Sequence, residues 1–196
     1  MGDTAAPRSK FELLKACIKW LPYFLYGALR AWITRARFGK RPFMLGKIRF
    51  GIRGQAVFGN NSLILATPVG VNISVGKGAT LTVGDKFFMN FGTSLVARRE
   101  IRIGNNVMLA PYASITDDNQ HETEPGAVTF KGPVIIGNNV WIGTSAVVNP
   151  GVSIGDGSVI GANSVVSRDI PPNSFAAGAP AQVIRKLEIP DGWTRG

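Results

Sequence analysis

A single histidine, His121, occurs in the 196 residues. It lies in the acidic stretch TDDNQHETEPGAVTFKGP, with Asp117, Asp118, Glu122 and Glu124 around it. An imidazole with an ordinary pKa near ~6.5 can accept a proton at neutral pH, and a carboxylate beside it can fix its tautomer and raise its basicity. General base catalysis is the chemistry these residue types offer. One histidine and one cysteine, Cys17, cannot build a His- or Cys-rich metal site, and a lone cysteine excludes an intramolecular disulfide and fits a reducing compartment.

The elements that would position His121 are legible in a repeat. Aliphatic residues recur every six positions at Ile136, Ile142, Val148, Ile154, Ile160 and Val166. The register recurs upstream at Val57, Leu63, Val69, Val75 and Leu81, then at Val83, Met89 and Leu95, then at Ile103, Leu109 and Ile115. A period of six is neither the 3.6 of a helix nor the alternation of a strand, so it marks a larger unit, read here as a parallel β-helix with each aliphatic pointing inward. Corners are expected at Gly104-Asn105-Asn106, Gly137-Asn138-Asn139, Gly155-Asp156-Gly157 and Gly161-Ala162-Asn163, because Gly, Asn and Asp tolerate positive φ. About five to six turns are expected, stacked ~4.8 Å apart. The coil runs regularly to Ile115 and resumes at Val134, so residues 116–133 leave the wall as a loop. An unstructured loop of that length is commonly functional.

Charge divides the chain. Residues 1–53 hold twelve Lys or Arg and two acidic residues, and residues 54–196 hold ten of each, so the entire net charge of +10 is N-terminal. Within this N-terminal region the segment Phe11–Phe38 is rich in aromatics and flanked by basic residues, but its uncharged part, Trp20 to Leu29, is too short to span a bilayer and contains Pro22. No signal-peptide cleavage site follows. The expectation is an interfacial segment, with Trp20, Tyr23, Tyr26 and Trp32 at headgroup level and Lys15, Lys19, Arg30, Arg35 and Arg37 facing anionic lipid. A helix capping the coil would use the same apolar residues; nucleic acid is not the expected partner. The chain divides into a basic aromatic helical segment at 1–45, a coil at 46–185 with its loop at 116–133, and a tail at 186–196.

The stretches IGNNVMLAPYASI and IGNNVWIGTSAVVNPGVSIGDGSVIGANSVVSRDIPPNSFAAGAPAQVIRKL, with His121 between them, resemble the hexapeptide-repeat acyltransferases, in particular the maltose and galactoside O-acetyltransferases. The resemblance runs from about Val83 to Leu187. It implies an all-β fold, a left-handed parallel β-helix of eighteen-residue turns, assembled as a homotrimer. It implies acetyl-CoA as acyl donor, with no metal, and His121 as the base that deprotonates an acceptor hydroxyl. Asn90 in FFMNFG matches an acceptor-binding asparagine. Trp141, Gly143, Thr144, Ala162, Ser167, Arg168 and Arg185 match coenzyme A positions. Small residues there would let backbone groups approach the donor, an N–H near Thr144 would face the developing oxyanion, and the two arginines would meet phosphates.

Two departures bear on the acceptor. The helical N-terminal segment that shapes the acceptor pocket in such enzymes is replaced by the basic aromatic stretch, and Gln182 stands where a second basic residue often occurs. The expected activity is O-acetylation of a sugar or glycan precursor by a cytoplasmic enzyme, peripheral on the membrane through residues 10–41. Arg98 and Arg99 could meet an anionic acceptor or form a solvated coil face. Amino-sugar N-acylation and a non-catalytic scaffold are the alternatives. Zinc-dependent carbonic anhydrases of this coil type need three histidines, and serine acetyltransferases a longer helical N-terminal domain.

Overall fold

The computed structural model describes residues 35–119, 121, 124–126, 131–190 and 192–195, together with 21, 29, 32 and 33. Of the expected interfacial residues, Lys15, Lys19, Trp20, Tyr23, Tyr26 and Arg30 lie outside these, as do Cys17 and Glu122. Leu21, Leu29, Trp32 and Ile33 are helical and exposed. Among the described residues no helix is long and apolar enough to cross a membrane.

Three walls of short parallel strands form the coil. The first stacks β1 (Ala36–Phe38), β3 (Gln55–Phe58), β5 (Thr80–Val83), β8 (Glu100–Ile103), β11 (Val134–Ile136) and β14 (Ser153–Ile154) in that order. Two long strands, β2 (Phe43–Ile52) and β4 (Leu63–Val75), bend across a corner and contribute to both other walls. The second wall continues through β6 (Phe88–Met89), β9 (Met108–Leu109), β12 (Trp141–Ile142), β15 (Val159–Ile160) and β17 (Ser174–Gly178). The third continues through β7 (Ser94–Ala97), β10 (Ser114–Thr116), β13 (Val147–Val148) and β16 (Val165–Val166). A final strand, β18 (Ala181–Lys186), turns back antiparallel on β17.

The coil makes about seven turns, more than the five to six expected, because β1 and β2 already pair in register with the strands that follow. Ile136, Ile142, Val148, Ile154, Ile160 and Val166 are all buried, as are Val75, Leu81 and every repeat position from Val83 to Ile115. Each such side chain contributes about 1.5–3 kcal/mol by leaving water. The expected inward register fails at Val57, Leu63 and Val69: Val57 is 42% and Val69 40% exposed, and Leu63 is half-buried. The inward residues there are Ala56, Phe58, Ile64, Ala66, Val71 and Ile73. Longer strands place two or three alternate residues inside per wall, so an outward valine can keep the six-residue count while facing water. Phe58 stacks on Phe38 with ring centroids 4.5 Å apart and lies 6.2 Å from Phe87, filling the wide early turns with aromatic volume.

The corner after the first wall is a ladder of side-chain oxygens. The amides of Lys40, Asn60, Asp85, Asn105 and Asn138 donate in turn to Oδ1 of Asn60, Asp85, Asn105, Asn138 and Asp156, at 2.7 to 2.9 Å. Positive φ falls on the residue after each rung's acceptor, at Asn61, Lys86, Asn106 and Asn139, and not on the corner glycines Gly104 and Gly137. Those glycines answer a different constraint. A side-chain carbon at Gly104 would sit 2.7 Å from the Gly137 carbonyl carbon, and one at Gly137 would sit 2.7 Å from the Asp156 nitrogen.

Candidate active site

The loop that carries His121 springs from the corner after the third wall. Asp117, fully buried at its root, accepts hydrogen bonds from the backbone amides of Arg98 and Arg99, each at 2.7 Å. Gly132 N donates to Asp117 O at 3.1 Å, Gly151 N donates to Gly132 O at 3.1 Å, and Asp118 bridges Lys131 in antiparallel fashion. The root is therefore pinned to turns on both sides. Of the four carboxylates around His121 in sequence, that of Asp117 is spent on the turn below. His121 is exposed, its amide donating to Asn119 O at 2.7 Å, and Glu124 is exposed as well. Arg98 and Arg99 close the same corner one turn earlier. Arg98 is half-buried with Nη1 3.2 Å from Ser74 Oγ, and Arg99 is exposed.

Asn90, Gly143, Thr144 and Ala162 lie on the corner between the second and third walls. Asn90 Oδ1 accepts from Phe91 N at 2.8 Å, and its NH₂ group donates to no described residue. Gly143 is glycine for the sake of the coil, since a side-chain carbon there would lie 2.6 Å from Ile160 O and 2.7 Å from Ala162 N. Thr144 O accepts from Asn163 N at 2.8 Å, while the amides of Thr144 and Ala162, both exposed, donate to no described residue. Two N–H groups without a described partner, on successive rungs, suit an oxyanion or an amide-bearing chain such as pantetheine.

Sequence reading passed over Tyr112 on this corner. It adopts φ 61°, is 47% exposed, and meets Phe91 edge-on at 5.5 Å. Tyrosine is not a turn former, so its type gave no sign of a left-handed backbone.

Trp141 faces outward from the second wall and shares a groove of about 510 Å³ with Val159, Phe175 and Arg185. Ser167 and Arg168 are exposed on the corner that also roots the His121 loop. Gln182 is exposed, opposite Ala177 in the β17–β18 pair. The chain thus gathers the expected site residues in two groups. Asn90, Trp141, Gly143, Thr144, Ala162 and Arg185 lie on the second wall and its far corner, and His121, Ser167 and Arg168 lie across the third wall. Free amides, exposed hydroxyls and exposed arginines on these edges fit a phosphorylated thioester such as coenzyme A.

Comparison with known proteins places this arrangement. The family model described as bacterial transferase hexapeptide (six repeats) matches residues 133–168. A galactoside O-acetyltransferase of Escherichia coli (strain K12) is 44% identical over 117 residues, 58% of this chain and 58% of that protein. One from Lactococcus lactis subsp. lactis (strain IL1403) is 39% identical over 118 residues, 58% of this chain and 56% of that protein. The chain spans under two thirds of the length of these relatives. A mutant of an N-acyltransferase from Bacillus cereus, solved in complex with dTDP and coenzyme A, shares the fold at TM-score 0.68 and 19% identity, over 82% of this chain and 89% of that one. The crystal structure of a maltose O-acetyltransferase from Clostridium difficile 630 matches at 33% identity and TM-score 0.51, over 78% of this chain and 71% of that chain. With that extent of likeness on a shared hexapeptide coil, the chain belongs to the hexapeptide-repeat acyltransferases, among the kin of the galactoside and maltose O-acetyltransferases.

Proposed function

We propose that the protein transfers an acetyl group from acetyl-CoA to a hydroxyl of a sugar or glycan precursor, in a site shared between two copies of a homotrimer. The relation of heights along the coil carries this reading. Asn90 precedes β7, the loop follows β10, and Thr144 precedes β13, so the loop leaves one rung beyond Asn90 and one rung short of Thr144, about 4.8 Å from each. In a ring of copies around an axis parallel to the coil, equivalent residues share one height. The loop of one copy then meets its neighbour's corner between Asn90 and Thr144.

Acetyl-CoA supplies an activated acyl carbon. Around it, Asn90 orients the acceptor, His121 takes the proton as the hydroxyl oxygen attacks, and the Thr144 amide stabilises the charge on the carbonyl oxygen. The proton held on His121 is then available to the departing thiolate. Arg168 and Arg185 hold phosphates.

Complementation tests the shared site. His121→Ala and Asn90→Ala variants should each be inactive in acetyl-CoA turnover with a panel of sugars, read by free thiol release. Unfolded, mixed and refolded together, they should regain a fraction of wild-type rate, because some interfaces then pair an intact loop with an intact corner. No recovery would refute the shared site, and turnover confined to amino sugars would favour N-acylation.

We also propose that the enzyme works peripherally on the cytoplasmic face of a membrane. Arg35, Arg37, Lys40, Arg41, Lys47, Arg49 and Arg53 all lie on the first turn, with no acidic residue among them in sequence. At about 1 kcal/mol per cation near an anionic surface, vesicles rich in anionic lipid should retain the protein at low salt and release it at high salt. Indifference to such vesicles would leave the capping role.

A further inference from the structure

The corner that carries Asn90 is irregular on the rungs that precede it. Where β2 pairs with β4, Gly46 stands opposite Ala66 and Ile48 opposite Val71, so Lys47 alone faces the stretch from Thr67 to Gly70. The surplus residues leave the wall as a ridge, with Thr67, Pro68 and Val69 all exposed. The two strands close again at Gly70, where a side-chain carbon would sit 2.7 Å from Lys47 O. Beside the ridge, Lys47, Arg49, Gly70, Val71 and Asn72 line a cavity of about 310 Å³.

Charge in this cavity is uncompensated. Lys47 and Arg49 are exposed, and neither pairs with a carboxylate among the described residues. The sequence holds no acidic residue between Glu12 and Asp85, so β2 and β4 can offer none. A third cation lies across the same wall: Arg98 is half-buried, with Nη1 3.2 Å from Ser74 Oγ. The outward side chains of the third wall also change character along the coil. Arg49, Asn72, Ser94 and Ser114 follow one another in register, and beyond the His121 loop the column continues as Val147 and Val165. Asn72 Nδ2 donates to Ser94 Oγ at 3.2 Å. Amides and hydroxyls suit the hydroxyl groups of a saccharide, and ammonium and guanidinium groups suit an anion. Both kinds of group stand on this column only from the first turn to the loop.

Gly92 N donates to Val69 O at 3.3 Å, which sets the ridge one rung from the turn of Asn90. The cavity therefore lies about 5 to 10 Å along the coil from Asn90. We propose that it holds the anionic substituent, a carboxylate or a phosphate, of an acidic glycan whose reacting hydroxyl is at Asn90. The acceptor class is then a saccharide that carries negative charge beside the unit to be acetylated. That role rests on the acetyl transfer proposed above; the anion site itself does not. Lys47 and Arg49 also belong to the basic first turn, so soluble probes separate a saccharide site from attraction to lipid.

Calorimetry on the full-length protein without acetyl-CoA, with trigalacturonate, maltose 1-phosphate and neutral maltotriose as separate probes, tests it. At least one acidic probe should bind tenfold or more tighter than maltotriose, and the preferred one identifies the anion as carboxylate or phosphate. Arg49→Ala should weaken that binding roughly tenfold, the loss expected of one charge-assisted bond, and leave maltotriose unaffected. Arg49→Lys keeps the charge without the fork and should fall between wild type and Arg49→Ala. Arg102→Ala, which removes a cation from the first wall, should change nothing. In turnover with the preferred acidic acceptor, Arg49→Ala should raise KM and spare kcat, because the cavity touches no reacting atom. Equal affinity for acidic and neutral probes, no binding of the acidic ones, or acidic binding indifferent to Arg49→Ala overturns the site even if acetyl transfer to a neutral sugar is established. Acidic binding that is lost in Arg49→Ala, without acetyl transfer to any sugar, would keep the anion site and overturn its role in holding an acceptor.

Discussion

The carboxylate of Asp117 closes on the backbone amide of Arg98 at 2.7 Å, one turn back along the coil, with its second oxygen on the amide of Arg99. A residue of the His121 loop in sequence is thus a brace of the coil in structure. Asp117→Ala would strand two amides and should lower thermal stability by about 1–3 kcal/mol. Asp117→Asn keeps one acceptor and should lose less. Melting curves of the two variants decide this. An Asp117→Ala protein that melts normally but has lost turnover would return Asp117 to the side of His121.

His121→Ala should behave in the opposite way. The imidazole is exposed and contributes nothing to the core, so the variant should melt like wild type while turnover falls by about 10² to 10⁴, the usual contribution of a general base. Near-normal turnover by the folded variant would remove His121 from the mechanism.

The corrected register of the early turns can be checked by a pair of substitutions. Phe58 is buried and stacked on Phe38, whereas its neighbour Val57 is 42% exposed. Phe58→Ala should cost about 3–5 kcal/mol, and Val57→Thr less than about 0.5 kcal/mol. Equal losses in denaturant titrations would restore the original six-residue phase.

Acid should weaken the corner ladder at Asp85. Hydrogen bonds from the backbone of Asn60 first, and from its side chain second, hold this carboxyl below the ordinary carboxylate pKa. A pKa depressed by folding stabilises the native state above the unfolded value, and that contribution disappears as pH falls through the folded value. Asp85→Asn should therefore flatten the pH dependence of stability in the acid range, while changing little at neutral pH. An unchanged acid limb in the variant would argue that other carboxylates set it.

Arg168→Glu places an anion where the proposed donor phosphates would sit. Coenzyme A affinity should fall by tenfold or more, with the melting temperature nearly unchanged because the side chain is exposed. Calorimetry with coenzyme A distinguishes this from a solvated corner arginine, for which affinity would hold.

The later turns were readable because β12 to β16 are two-residue strands with one buried aliphatic each, so the count of six and the direction of the side chain coincide. In β2 and β4 the strands run through a corner, several residues per turn point inward, and spacing alone no longer fixes direction. The loop and its histidine were visible as an interruption. The bracing role of Asp117 was not legible, because its partners lie a full turn away in sequence, a distance at which composition carries no signal. The corner residues Asn106 and Asn139 stood out as turn formers, but their second role as anchors of Trp193 and Arg195 depends on where the tail returns.

The ladder from Asn60 to Asp156 joins each rung to the next by the same bond between the same kinds of atom. Cutting out one whole rung, for instance residues 138–155, would leave Asn105 facing Asp156, an acceptor of the same reach as the Asn138 it lost. The coil can thus change length only by whole steps of about 4.8 Å. Length along this corner is therefore set digitally, in whole rungs and never in fractions of one.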